Sequence, residues 1–355
     1  MSFEKAKCDQ CPLKQHWEAE GCWAPVDFEA NEDILFLGEG PSKTDVEFGR
    51  PFIDEAGVRI LSEIKKEELA RDDVSWGHIV GCRWPDDDPQ TFLARLRGIN
   101  RKRKAKGLKP YMSPIEACSR HLRDNLRDYK MVVPLGSYAV KAVLKGNVSL
   151  ESVRGGPTYV GEQKVLPTYA PHTLVKHPKL TPVFASDIAK GLRHFYDALT
   201  WDEPIVRYNP QPEYVAEFFE RVAQSSDPRL AYDVETDGID SLNADLRCVG
   251  IGTEDEVLII GFVSINGVSR FYSKEDEATI SDLLRKVFTD ERVVKVGHNA
   301  GYFDRLVIES HLDVTPVPLE DTLLLHKLAR SEFRHSLGFV GSILTDTSTA
   351  RRTSP

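Results

Sequence analysis

Three acidic side chains could do chemistry together. In Ala231-Tyr-Asp233-Val-Glu235-Thr-Asp237, the side chains of a strand alternate with period two, so Asp233 and Glu235 share one face. Two carboxylates held side by side repel each other unless a cation lies between them. Downstream, Gly297-His298-Asn299-Ala-Gly-Tyr-Phe303-Asp304 follows another strand-like run and supplies a third carboxylate where a helix should start. Acids gathered at strand ends suit Mg²⁺ or Mn²⁺ and phosphodiester hydrolysis, in which the ions activate water and stabilise the leaving oxygen. A lone Asp-x-Glu would more simply be a pair of surface charges; the third acid gives the set its meaning.

A second group lies in Phe36-Leu-Gly-Glu39-Gly-Pro…Gly49-Arg-Pro-Phe52, after the apolar run Ile34–Leu37. In an open parallel sheet, ligands bind at the carboxyl ends of the strands. Glu39 would stand there at a pocket mouth, and Phe52 could stack on a flipped base. A plain strand-to-helix turn is the alternative. The six cysteines include Cys8-Asp-Gln-Cys11, a spacing that can present two thiolates to one metal, with Cys82 and Cys118 as partners from further along. Four thiolates suit zinc or an iron–sulfur cluster, and spacing does not choose between them. Free cysteines also serve as small core residues. Arg95–Lys109, which contains Arg101, Lys102, Arg103 and Lys104, carries eight basic residues and no acid. It reads either as a solvated or disordered insertion or as a track for a phosphate backbone.

The elements that must position these groups fall into two domains, as 355 residues imply. Hydrophobic content of 41% and charged content of 28% belong to a globular chain. The net charge of −9 is uneven: 30 basic against 28 acidic residues up to position 200, and 16 against 27 after it. The start of the chain lacks the apolar stretch of a secretion signal, and the longest apolar run, Val257–Val263, is too short for a bilayer. The expected location is the cytoplasm, with no membrane partner. In the first part, strands at Ile34–Leu37, His78–Val80, Met131–Leu135 and Lys164–Tyr169 alternate with helices at Glu55–Glu68, Pro114–Tyr129, Ser137–Leu144 and Phe184–Leu199. This alternation predicts a parallel sheet between helices. Residues 201–212, with three prolines, read as a linker. After them come a helix at Glu213–Ala223, strands at Leu230–Val234, Cys248–Thr253, Val257–Val263 and Ser269–Tyr272, and a helix at Glu277–Phe288. A strand at Val293–Val296 and helices at Phe303–Ser310 and Asp321–Ala329 complete an α/β plan, and 345–355 reads as a disordered tail.

Residues 8–200 resemble the uracil-DNA glycosylase superfamily, most closely its iron–sulfur family 4. The likeness rests on Cys8-x-x-Cys11-Pro-Leu, Leu37-Gly-Glu-Gly-Pro, Gly49-Arg-Pro-Phe52, Gly57, Cys82-Arg83, Glu116-x-Cys118, Leu135-Gly136-x-x-Ala139, Pro167-Thr-Tyr169 and Asp187. It implies a three-layer α/β/α domain over 1–200 with a four-stranded parallel sheet, a uracil pocket, and a 4Fe–4S cluster on Cys8, Cys11, Cys82 and Cys118. Two positions depart from the family. Where it has an Asn that reads the uracil edge, this chain has His78. Where it has the His that stabilises the departing anion, this chain has Ala170, with His172 two residues on. Losing one such donor costs on the order of 10²–10³ in rate, so the expected domain binds DNA or a base without efficient excision.

Residues 229–344 resemble the 3′–5′ exonuclease domain of family A DNA polymerases, which implies a ribonuclease-H-like mixed-sheet fold for a domain over 213–344. Asp233 and Glu235 match its first motif, Asn299-x-x-x-Phe303-Asp304 its second, and Asp321-Thr322 the start of the next helix, with Asp321 structural. The third motif, a Tyr with an Asp four residues later, is not found. The whole resembles the front of certain bacteriophage polymerases: a degenerate glycosylase-like DNA-binding domain followed by a proofreading exonuclease. Its expected partners are DNA, as single strands or 3′ ends, and a polymerase domain or other replication proteins. Two alternatives are an active glycosylase on uracil or a modified base, and a non-catalytic DNA-binding module.

Overall fold

The computed structural model describes residues 6–146, 148–200, 202–264, 267 and 270–346. The chain divides into two compact units, 1–200 with 341–355, and 201–340.

The first unit is built on strands β1 (Ile34–Gly38), β2 (Ser75–His78), β3 (Met131–Pro134), β4 (Thr158–Val160) and β5 (Gln163–Val165), in the order β2-β1-β3-β5-β4. β1, β2, β3 and β5 run parallel, and β4 returns antiparallel to β5 as a fifth strand at the edge. Helices α1 (Pro12–Ala19), α2 (Lys43–Phe48), α3 (Glu55–Ile64), α4 (Pro89–Ala105), α5 (Pro114–Leu126), α6 (Ser137–Leu144), α7 (Leu150–Val153), α8 (Pro171–Lys176) and α9 (Thr181–Phe195) surround it. β1 is buried along its whole length, as a strand covered on both faces must be. Two expected strand positions shift. The strand expected at His78–Val80 ends at His78, because Ser75 and Gly77 interrupt the apolar run that pattern reading follows. Gly77 is there to admit Phe28, whose ring lies 2.3 Å from where a Cβ would stand. The strand expected over Lys164–Tyr169 stops at Val165 and continues as an isolated bridge between Leu135 and Thr168.

The second unit has strands β6 (Ile205–Tyr208), β7 (Arg229–Thr236), β8 (Leu246–Gly252), β9 (Glu256–Gly261), β10 (Val294–Gly297) and β11 (Leu319–Asp321), in the order β11-β10-β7-β8-β9-β6. β7, β8 and β9 form an antiparallel meander, while β10 and β11 add in parallel on one side and β6 on the other. Helices α10 (Pro212–Ala223), α11 (Lys274–Thr289), α12 (Phe303–Leu312), α13 (Thr322–Ala329) and α14 (Leu337–Leu344) complete the chain order. β6 lies inside the stretch 201–212 read as a linker: Ile205, Val206 and Tyr208 favour a strand, but they are exposed and set among three prolines, which is what the linker reading followed. Ser269 and residues 347–355 lie outside the described residues; Arg270 makes an isolated bridge to Val263. The core joins Phe218, Leu230, Tyr232, Ile251, Leu284, Phe288 and Ile308. Among the described residues no helix is long and apolar enough to cross a membrane.

Candidate functional site

β7 alternates strictly, with Leu230, Tyr232 and Val234 buried and Asp233 and Glu235 on the opposite, exposed face. Strand period two therefore delivers the carboxylate pair as read from sequence. Asp304, buried at the start of α12, accepts a 3.0 Å hydrogen bond from the Val234 backbone N–H, which lies between the two β7 acids. This single bond brings the third carboxylate to the pair. Burial pushes the Asp304 carboxyl up to about 6, with the negative charge of Asp233 adding to the effect. Burial also raises Asp233.

The turn that places Asp304 is anchored by Asp321. Burial favours its neutral form, but backbone N–H groups of Gly301, Asn299, Leu324 and Leu323 outweigh this and hold it below the usual carboxylate range. Asn299 sits in the left-handed region at φ 67°, which Asn tolerates. Asp321 is structural, as expected. The sequence reading missed Cys248, which is paired across the sheet with Glu235 on β8. Its thiol is raised by burial and by the charges of Glu235 and Asp233. After Asp321 the chain has no Tyr, and its one Asp, Asp346, binds Arg193 and Thr200 within the first unit. Among the described residues, no three His, Cys, Asp or Glu side chains already close on one metal-binding point. The carboxylates fit a divalent ion by their chemistry. The buried Asp304 feels the charge of Asp233, and a cation between them would relieve the repulsion.

The first unit holds a pocket of about 410 Å³ at the carboxyl ends of β1 and β2, within the range of small-molecule sites. Glu39, Phe52, His78, Ala170 and His172 all line it. The carboxyl of Glu39 accepts from the Tyr138 backbone N–H at 2.9 Å, and burial pushes it up to about 7. Gly136 makes room for it, since a Cβ there would come 2.5 Å from the carboxylate. Phe52, buried and held at φ 54°, packs its ring 4.5 Å from that of His78. Arg71 fixes this loop by donating to the carbonyl oxygens of Phe52 and Pro51. Asp45, which the sequence reading passed over, is buried beside His78. Its Ser42-x-x-Asp45 capping box was the signal available for it. Ala170 is the N-cap of α8 and has no side-chain donor, while His172 follows in the first turn.

Arg101, Lys102 and Lys104 are exposed and Arg103 half-buried on the ordered helix α4, so this run is not a disordered insertion. Arg103 stacks on Tyr111 at 4.2 Å. Cys11, Cys82 and Cys118 are buried and Cys8 half-buried, all free. Burial raises the Cys118 thiol to about 12, with Cys11, Cys82 and Cys8 close enough to add to it. Cys82, likewise raised to about 12 by burial, feels Cys11 and Cys8. The four thiols thus share one neighbourhood, with backbone N–H groups of Lys14 and Leu13 directed at Cys11 and of Gly81 at Cys118. Buried thiols that feel one another and accept backbone hydrogen bonds fit a metal cluster, which would hold them as thiolates.

With this geometry in view, residues 25–193 match the Uracil DNA glycosylase superfamily and residues 207–346 match a 3′–5′ exonuclease family. A type-4 uracil-DNA glycosylase of Thermotoga maritima is 30% identical over 199 residues, covering 54% of this chain and 91% of the relative. One from Sulfurisphaera tokodaii is 29% identical over 209 residues, covering 53% and 83%. Among solved structures, Brucella melitensis NrnC bound to pGG aligns at 21% identity over 42% of this chain and 66% of its own, TM-score 0.33. Escherichia coli RNase D aligns at 16% identity over 42% and 38%, TM-score 0.30. The chain belongs to the uracil-DNA glycosylase superfamily. Its glycosylase-type unit has type-4 relatives, and a 3′–5′ exonuclease domain built on a mixed sheet follows in the same chain.

Proposed function

We propose that this chain is a metal-dependent 3′–5′ exonuclease on DNA ends, joined to a glycosylase-type domain that grips DNA without efficiently excising uracil. The reading rests above all on the Asp304–Val234 hydrogen bond, which gathers Asp233, Glu235 and Asp304 at one strand edge. These three carboxylates would hold Mg²⁺ or Mn²⁺. The bound ions would supply water activation and leaving-oxygen stabilisation. The protein's own part is to fix the acids: β7 sets the first two, and the turn tied down by Asp321 sets the third. We place the chain at the front of a phage-like replicative polymerase, where such trimming serves proofreading, with the polymerase domain or other replication proteins as partners. The Asp233→Ala change should cut nucleotide release from single-stranded and 3′-recessed DNA by about a hundredfold or more, the scale of losing one electrostatic stabiliser. Equal release by both proteins would overturn the assignment.

In the glycosylase-type unit, Phe52 would stack on an extruded base, and the exposed cations of α4 (Arg101, Lys102 and Lys104, with Arg103) would follow the phosphate backbone. Cys8, Cys11, Cys82 and Cys118 would hold a 4Fe–4S cluster. Purified without oxygen, the protein should be brown with about four irons; a colourless zinc protein would contradict this. A second reading, excision of uracil or a modified base, is favoured by Glu39 alone, whose carboxyl titrates near neutrality in the pocket. It requires abasic sites that disappear in Glu39→Ala.

A further inference from the structure

The first unit has a second concavity, at the other end of its sheet. The pocket described above opens past the carboxyl end of β3, at Leu135, whereas a groove of about 940 Å³ opens before its amino end, at Tyr129 and Lys130. Lys130 and Leu135 are five residues apart along one strand. At about 3.3 Å per residue, roughly 16 Å separates the two openings. The walls of the groove are the ends of α5, α6 and α9 and the β4–β5 hairpin.

The floor is aliphatic, made by Leu122 and Leu126 of α5, Val143 of α6 and Val160 of β4, with Phe195 at one side. The rim is cationic. Arg123 and Arg127 stand one turn apart at the end of α5, and Lys145 is the C-cap of α6. All three are exposed, and among the described residues none makes an ion pair. Like charges at i and i+4 repel, so an anion between the two arginines would relieve them. Lys130 and Lys164 also reach the rim but are engaged by Asp33 and Asp197. The remaining acid of the lining is Glu162, on the β4–β5 turn.

We propose that this groove docks an acidic amphipathic segment of a partner protein. The segment sets apolar side chains on the floor and Asp or Glu side chains against Arg123, Arg127 and Lys145. An apolar centre with a charged rim is the anatomy of a protein interface, and the sign of the rim selects an acidic partner. A single-stranded nucleic acid would use the cations but needs aromatic faces on which its bases stack. Here the floor is aliphatic, Tyr129 is only 7% exposed, and Phe195 stands to one side. A small anion would leave the floor unused. The surface is also set before anything binds. The Gln163 side-chain amide donates to the carbonyl oxygens of Leu126 and Tyr129, and the Lys164 ammonium donates to that of Phe195. These bonds fasten the hairpin to α5 and α9, and a preorganised surface loses less freedom on binding.

The test uses random twelve-residue peptides displayed on phage and selected on the immobilised full-length protein. The triple variant Arg123→Glu, Arg127→Glu, Lys145→Glu serves as counter-selection. Selected sequences should combine Asp or Glu with Leu, Ile or Phe. In anisotropy, a labelled selected peptide should bind the triple variant about tenfold or more weakly than wild type, as three exposed ion pairs warrant. Changing the peptide's acids to Lys, or its apolar residues to Ser, should abolish binding. Should the triple variant melt below wild type, Arg123→Gln, Arg127→Gln and Lys145→Gln together remove the charges with less disturbance and should weaken the same peptide. No enriched peptide, enriched peptides without acids, or a Ser version that binds equally well overturns the proposal. So does a labelled strand of thymidines, in EDTA, that loses affinity in the triple variant while no peptide does; the groove would then be a nucleic-acid track.

Discussion

Asp304 is caught between stability and chemistry. Its carboxyl is raised from 3.8 to about 6, first by burial and then by Asp233. For an acid shifted upward, the folded state favours the protonated form. The cost to stability is therefore absent below about pH 4, where the group is protonated in both states, and complete above about pH 6. Asp304→Asn keeps the oxygen that accepts from Val234 but removes the charge, so it should raise the melting temperature at pH 7.5 by a few degrees while abolishing exonuclease activity. The gain should vanish at pH 4, and added Mg²⁺ should stabilise wild type but not the variant. A variant less stable than wild type at pH 7.5 would contradict this electrostatic account. Asp233 and Glu235 were legible because strand alternation is local. Asp45 and Cys248 were not, because each earns its place through a partner on another strand or turn: His78 for one, Glu235 for the other.

At the scale of elements, the pocket depends on α3 and on the loop that carries Phe52. Gly57 lies so close to that loop that a Cβ would come 1.7 Å from the Phe52 carbonyl oxygen, a contact with backbone that cannot yield cheaply. Gly57→Ala should therefore destabilise the first unit by about 1–3 kcal/mol, as overpacking does. Base-dependent DNA binding should fall with it, and exonuclease activity should remain. Unchanged melting and unchanged binding would mean the loop is not held as described. Helix α4 gives a separate reading. Replacing Arg101, Lys102, Arg103 and Lys104 by Gln should lower the slope of log affinity against log salt by about one per lost phosphate contact, whatever the sequence of the DNA. Elements with a buried face, such as β1 and β7, announced themselves in the sequence. β6 did not, because its Ile205, Val206 and Tyr208 form only a four-residue exposed run bounded by prolines, and β2 was displaced because Gly77 and Ser75 sit where apolar residues were sought.

Over the whole molecule, the acidic second part and the basic helix of the first divide the work. On the proposed function, the carboxylates of the second part would take cations, and the exposed cations of α4 would follow the DNA backbone. The two-domain plan could be read from length and from the change of strand pattern; the proposal of inefficient excision rests on two residues, His78 and Ala170. The most direct measurement puts both halves on one substrate: a 5′-labelled single strand with one internal uracil, incubated with Mg²⁺ and resolved with and without alkali. The account expects a ladder shortening from the 3′ end, absent in Asp233→Ala, and no alkali-labile break at the uracil. A strand that keeps its length, or one that breaks at the uracil, would contradict it.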